Sequence, residues 1–174
     1  MDSQWKLFAA ILILDALLAF ALAGMLARRA RVKLGRAELA HSLMMLALWA
    51  FCYAMVILST SLVAKSFWFK FEHVGIVSQP VFWFLFALNY TSLNKPLKWP
   101  WLIALWTIPA ISLALVFSQN GFHLYYATVE IASDTGGPFI VTRGTFYWLQ
   151  WIQSNFLFIV SAVLLLRWAE RRAR

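Results

Sequence analysis

The chain has 174 residues, 63% of them hydrophobic and only 13% charged, so it has too little polar surface to cover a water-soluble globule and is read as an integral membrane protein. Ten Trp and fifteen Phe fit that solvent, because amphipathic rings settle at the headgroup boundary and Phe is well tolerated in hydrocarbon. The formal net charge of +8 does not point to nucleic acid, since the basic residues flank apolar runs instead of gathering on a soluble face; anionic lipid headgroups are the expected partner, at about 1 kcal/mol per Lys or Arg near the surface.

A helix needs about 20 apolar residues to cross about 30 Å of hydrocarbon, and five runs approach that length. The first, Leu7 to Ala27, contains Asp15. Ala21-Leu22-Ala23 before Gly24 has the look of a signal-peptide cleavage site, but Asp15, the weakly basic start and the basic cluster that follows favour a retained anchor. The second, Ala40 to Thr60, holds the lone Cys52, which has no partner for an internal disulfide and reads as a small packing residue. A charged aromatic run from Lys65 to Glu72 then leads into the third span, His73 to Tyr90.

Gly75, Gln79 and Pro80 lie in the third span. Proline removes one helical hydrogen bond and clashes with the carbonyl four residues back, here Ile76. The span is therefore expected to bend at Pro80, with Gln79 satisfying a freed group and Gly75 admitting a neighbouring helix; Gly75 and Pro80 together read either as a hinge or as a static kink. The fourth span is Trp99 to Phe117 and the fifth Thr145 to Trp168. Between them the loop Ser118 to Gly144 carries YYATVEI and PFIVTR on either side of Asp134, Gly136 and Gly137, a hairpin pattern that reads either as a lid over a ligand site or as a packed cap.

The expected fold is thus all-α and integral to the membrane, a five-helix transmembrane bundle with a short β-hairpin, forming a single domain over residues 1–174. Arg28, Arg29, Arg31, Lys33, Arg36, Lys95, Lys98, Arg167, Arg171, Arg172 and Arg174 fall on one side, eleven of the fifteen basic residues. By the positive-inside tendency that side is cytoplasmic and the amino terminus lies outside, in a multi-pass protein of the cytoplasmic membrane.

No phosphate-binding glycine loop, nucleophile elbow or metalloprotease motif is present. Glu130 and Asp134 have no neighbour that would make paired-carboxylate chemistry, and His41 is a membrane thickness away from His73 and His123. The chain reads as a non-enzyme with no cofactor and no metal. The polar residues within the spans carry the ligand-site expectation. Asp15, Gln79 and Gln153 each lie about seven to nine positions inward from one side, roughly 10 to 14 Å, with Tyr53 and Asn155 near the same level. An ionisable side chain there is expected to face the bundle interior, so these five residues are read as a polar layer, either the floor of a small ligand cavity or a contact that fixes packing.

An ordered series runs through the same segments. Trp49 and Tyr53 stand four residues apart in the second span; Lys65 precedes Phe67, Trp68 and Gly75 ahead of Pro80; Trp83, Phe86 and Tyr90 follow along the third. Asn120 comes shortly before His123 and Tyr125, and Gly144 precedes Phe146 and Trp148. This series resembles the amino-terminal seven-helix membrane region of bacterial and archaeal sensor histidine kinases, over about its first five spans. Val56 stands where that family often has an acidic residue, and Gln153 and Asn155 where it tends to have aromatics. The phosphoacceptor His region and the ATP-binding lobe have no counterpart here, so kinase activity is not carried over. The resemblance implies a sensory input domain of a two-component system, working with a cytoplasmic signalling module or a membrane protein partner. The alternative is an accessory or assembly subunit of a membrane complex; a carrier is disfavoured by the lack of an inverted repeat.

Overall fold

The computed structural model describes residues 3–28, 35–91, 97–118, 121–131 and 138–173. Its elements are α1 (Ser3–Arg28), α2 (Arg36–Leu58), α3 (Leu62–Tyr90), α4 (Trp99–Phe117), the one-turn α5 (Phe122–Tyr125), β1 (Tyr126–Ile131), β2 (Phe139–Arg143) and α6 (Thr145–Ala173). Five of them, α1 to α4 and α6, are long and apolar enough to cross a membrane. The turn residues Asp134, Gly136 and Gly137 lie outside the described residues.

Two alanine stripes join α1 to α2. Ala9, Ala16 and Ala23 are buried on one helix and Ala40, Ala47 and Ala54 on the other, each set recurring every seven residues, close to two helical turns. Ala9 meets Ala54 in one buried cluster, and Ala16 and Ala47 line one groove, so the helices run antiparallel with small side chains at the seam. Small residues let helix backbones approach closely, and in a bilayer dispersion contacts replace the hydrophobic drive. The opposite face of α1, with Leu7, Ile11, Leu14 and Leu18, is exposed, as expected of apolar side chains solvated by lipid.

Helix α3 is the centre of the molecule, packed against α2, α4 and α6. At Gly75 a β-carbon would lie 2.5 Å from the Met45 carbonyl oxygen and 2.9 Å from the Trp49 backbone nitrogen, so only glycine permits this approach of α2. Asn89 donates to Glu38 (2.7 Å) nearer the far end of the same pair. There the chain enters α2 through Gly35, which has the left-handed φ of 81° that favours glycine and is pressed against Phe86 and Tyr90.

Two expectations for the third span need correction. The third helix does not begin at His73: the Lys65 to Glu72 run is the first part of α3, which is continuous from Leu62 to Tyr90. Phe69 recurs on the face of Lys65, Glu72 and His73 at helical spacing, and all four are buried. Gln79, in turn, does not serve a group freed by Pro80: its amide donates to Ser42 on α2 at 3.4 Å, while Pro80 sits buried inside the helix. The rescue is found elsewhere. Pro109 inside α4 removes the N–H that would bond the Leu105 carbonyl, and Gln153 on α6 donates its amide to that oxygen at 2.9 Å.

The antiparallel hairpin pairs Val129 with Val141 and Glu130 with Ile140, with the Thr128 hydroxyl donating to Thr142 (2.8 Å). It is packed onto the helix ends. Tyr125, Tyr126, Phe69, Val56 and Val116 form a buried cluster flanked by Trp68, Phe122, Phe139, Phe146 and Tyr147. At Gly144 the Leu124 carbonyl comes closer than a β-carbon allows, and the Gly144 N–H donates to the Tyr125 carbonyl at 2.8 Å. This contact ties the start of α6 to the hairpin.

Candidate functional site

Beside the hairpin, α3 and α6 wall a cleft of about 340 Å³. Its walls are Trp49 from α2; His73, Ile76, Gln79 and Pro80 from α3; Tyr147, Gln150, Trp151, Ser154 and Phe158 from α6; and Tyr125 and Tyr126 at the top. Gln150, Ser154 and Phe158 repeat at four-residue intervals, with Tyr147 and Trp151 beside them, so one face of α6 looks into the cleft. A groove between α1 and α2 has a similar volume but is walled almost wholly by aliphatic, Met and Phe side chains. A pocket of about 460 Å³ beside the hairpin contains Lys70, Ser66 and Ser118 among apolar residues. The α3–α6 cleft combines aromatic walls with converging polar groups, the composition expected of a small-molecule site.

His73 is fully buried and both of its ring nitrogens are engaged. Its Nδ1 lies 2.7 Å from the Phe69 carbonyl, which can only accept, so Nδ1 carries the proton. Nε2 then accepts from the Tyr126 hydroxyl at 2.6 Å, locking β1 onto α3. On the other wall, the Ser112 hydroxyl donates to Gln150 Oε1 (2.9 Å), and Gln150 Nε2 donates to Ser154 (3.1 Å). That chain spans α4 and α6. Burial pushes both hairpin phenols above the usual tyrosine range; Tyr147 reinforces this at Tyr125, and the neighbouring Tyr125 and Glu72 at Tyr126, against a small opposing effect of Arg143. Both remain protonated donors through neutral pH.

None of the residues walling the cleft is acidic or carries Lys or Arg. Charge is found just outside it. Glu72 is 5% exposed and its Oε2 has no hydrogen-bond partner, and Lys65, 4% exposed, holds its ammonium 5.6 Å from the centre of the Phe139 ring. Among the described residues, no three His, Cys, Asp or Glu side chains converge as metal ligands would.

The expected polar layer is not assembled. Asp15 is exposed on α1, away from the bundle interior. Tyr53 lies in the α1–α2 seam, edge-on to Phe8 at 6.2 Å. Gln153 turns to α4, leaving its Oε1 buried without a partner, and Asn155 donates to the Trp151 carbonyl of its own helix at 2.8 Å. Of the five residues, Gln79 lines the cleft. Depth along a span carries no information about rotation: each residue turns a helix by about 100°, so Asp15 is exposed where its neighbour Ala16 is buried against α2.

Of the residues in the ordered series, Trp49 and Pro80 line the cleft and Gly75 holds Trp49 close to α3. Lys65 is buried under the hairpin, and Trp68 packs edge-on against Phe51 at 5.8 Å. Trp83 meets Phe86 at a tilt, 5.4 Å between ring centres, while Tyr90 meets Trp168 at 4.8 Å and joins α3 to α6 at the far end. His123 is exposed, Gly144 anchors α6 to the hairpin, and Asn120 lies outside the described residues. The sequence pattern alone does not mark His73, Tyr126, Gln150, Ser112 and Ser154 as site residues. Their signal was the polar stripe Gln150 and Ser154 on one face of an otherwise apolar helix.

Five membrane-capable helices, three of which wall an aromatic cleft capped by the hairpin, define a multi-pass membrane protein. Residues 11–174 match the family described as the N-terminal 7TM region of histidine kinase. The chain belongs to that family, whose name denotes the membrane input region of a kinase and not its catalytic part. No curated protein and no solved structure matches the chain.

Proposed function

We propose that this chain is a sensory input domain of the cytoplasmic membrane, with the hairpin outside and the basic ends of the helices inside. A signal received in the cleft alters the fit between α3 and α6, and the altered fit is handed to a cytoplasmic signalling module. The observation that carries this reading is that the same two helices wall the cleft at one end and meet through Tyr90 and Trp168 at the other. An effector acts by binding two arrangements with different affinity; Gly75 and Pro80, next to the cleft, are the proposed hinge between them. The basic residues near Arg28 and Arg172 favour anionic headgroups on the inner face.

The test is a fusion of the whole chain, through its last helix, to a histidine kinase catalytic module in native-like membranes. Tyr126→Phe, which removes the donor to His73, is expected to shift basal autophosphorylation about fivefold, the equivalent of roughly 1 kcal/mol in a two-state balance. Output unchanged by Tyr126→Phe, Gln150→Leu and Pro80→Ala, with each variant folded, would reject the sensory reading in favour of an assembly role.

A further inference from the structure

The hydrogen-bonding capacity left over in the cleft is specific. Tyr125 is 1% exposed and lines the top of the cleft, yet its hydroxyl makes no hydrogen bond among the described residues. It therefore offers a donor. Tyr126 spends its proton on His73, so its oxygen retains lone pairs and can only accept further bonds. Gln79 donates through Nε2 to Ser42, leaving Oε1 as a second acceptor in the wall. The Tyr125 hydroxyl and the second N–H of Gln79 and of Gln150 are thus donors, and the Tyr126 oxygen and Gln79 Oε1 acceptors, in the walls of one cleft, and a hydroxyl, which both donates and accepts, answers the two kinds better than a carbonyl, which only accepts.

The walls also exclude charge. With no acidic residue, Lys or Arg lining the cleft, an ion brought into it would lose its hydration without gaining a counter-ion, a cost that a buried site must repay or avoid. Aromatic faces of Trp49, Trp151 and Phe158 form the lower part, and these three residues are also exposed on the surfaces of spanning helices. The mouth consequently opens sideways to lipid. A ligand that enters there is already dissolved in the membrane.

Taking the cleft as the signal site proposed above, we infer that it receives an uncharged, membrane-partitioned ring compound bearing a hydroxyl group, an aromatic or alicyclic alcohol, with the hydroxyl toward Tyr125 and Tyr126 and the ring against Trp49 and Trp151. Cleft volume, wall chemistry, the hydrogen-bonding groups of the walls and the lateral mouth all favour that class.

The whole chain in phosphatidylcholine nanodiscs is dialysed against 1-naphthol, naphthalene and 1-naphthoate, with empty nanodiscs subtracted. Saturable binding of 1-naphthol is expected, with naphthalene and 1-naphthoate each at least about tenfold weaker, the loss of a buried hydrogen-bonded group or the penalty of a buried charge. Tyr125→Phe should weaken 1-naphthol about fivefold or more with an unchanged melting temperature, while the exposed Glu130→Gln leaves it unaltered. Should Tyr125→Phe fail to fold, Ile76→Phe fills the cleft from a partly exposed wall position and is expected to abolish binding. Equal binding of 1-naphthoate, wild-type affinity in the folded Tyr125→Phe or Ile76→Phe variant, or no binding above empty nanodiscs overturns the inference. Saturable, Tyr125-dependent binding with a silent kinase fusion would overturn the sensory reading and leave the ligand class standing.

Discussion

At the scale of single residues, the decisive feature is a buried imidazole whose two nitrogens are both occupied. In Tyr126→Phe the His73 acceptor is left unpaired in a fully buried position, an error that costs about 1–3 kcal/mol; the loss is read from unfolding in detergent, and a change within error would show that the His73–Tyr126 bond contributes nothing net. The phenols also set an alkaline limit. Because burial raises the folded values of Tyr125 and Tyr126, the unfolded chain releases these protons first, so their contribution is complete below about pH 10, the ordinary tyrosine value, and is lost as pH rises beyond it. Stability followed from pH 7 to 11 should be flat and then fall, with a shallower fall in Tyr126→Phe. Asp15 is the opposite case. An ionised Asp at a span centre costs about 2.5–3.5 kcal/mol on insertion scales, and this one is exposed on α1. Asp15→Leu is accordingly expected to keep the fold and to be neutral or stabilising in thermal unfolding; a clear loss would reject a lipid-facing Asp15.

At the scale of elements, proline and glycine positions decide how close the helices come. Gly75 brings α2 within backbone contact of α3, and Pro109 creates an acceptor on α4 that Gln153 answers from α6. The second arrangement makes a double-mutant prediction. Gln153→Leu alone leaves the Leu105 carbonyl without its donor, a cost of about 1–3 kcal/mol. Combined with Pro109→Ala, which returns a backbone N–H to the same oxygen, the substitution should cost markedly less, and additivity of the two would disprove the coupling. The alanine stripes of α1 and α2 are the same principle in extended form. Side chains small enough to bring two backbones together recur every seven residues, and the larger apolar residues are left to face lipid.

At the scale of the whole molecule, the arrangement of charges makes the orientation testable. With Cys52 buried, single cysteines at exposed Lys98 and exposed Thr128 should label from opposite sides, Thr128 from outside; Gly35 is unsuited because its left-handed φ and its contact with Phe86 leave no room for a side chain. Labelling of both positions from one side would refute the proposed topology. The sequence by itself determined the solvent, the number of membrane-capable helices, the hairpin and the family, because each depends on local composition or on the order of residues along the chain. Trp99–Phe117 was legible to the residue, and the other spans to within a few residues, save that α3 begins eleven residues before the expected His73. Which polar residues meet was decided only by tertiary structure. Depth in a membrane can be counted along a sequence, but the facing of a residue depends on the rotation of its helix against its neighbours, and that is set by Gly75, the alanine stripes and the hairpin packed on Gly144. The layer expected at one depth therefore dispersed over several faces, and the cleft formed instead where His73, Gln79, Gln150 and Tyr125, scattered along the chain, share a single facing direction.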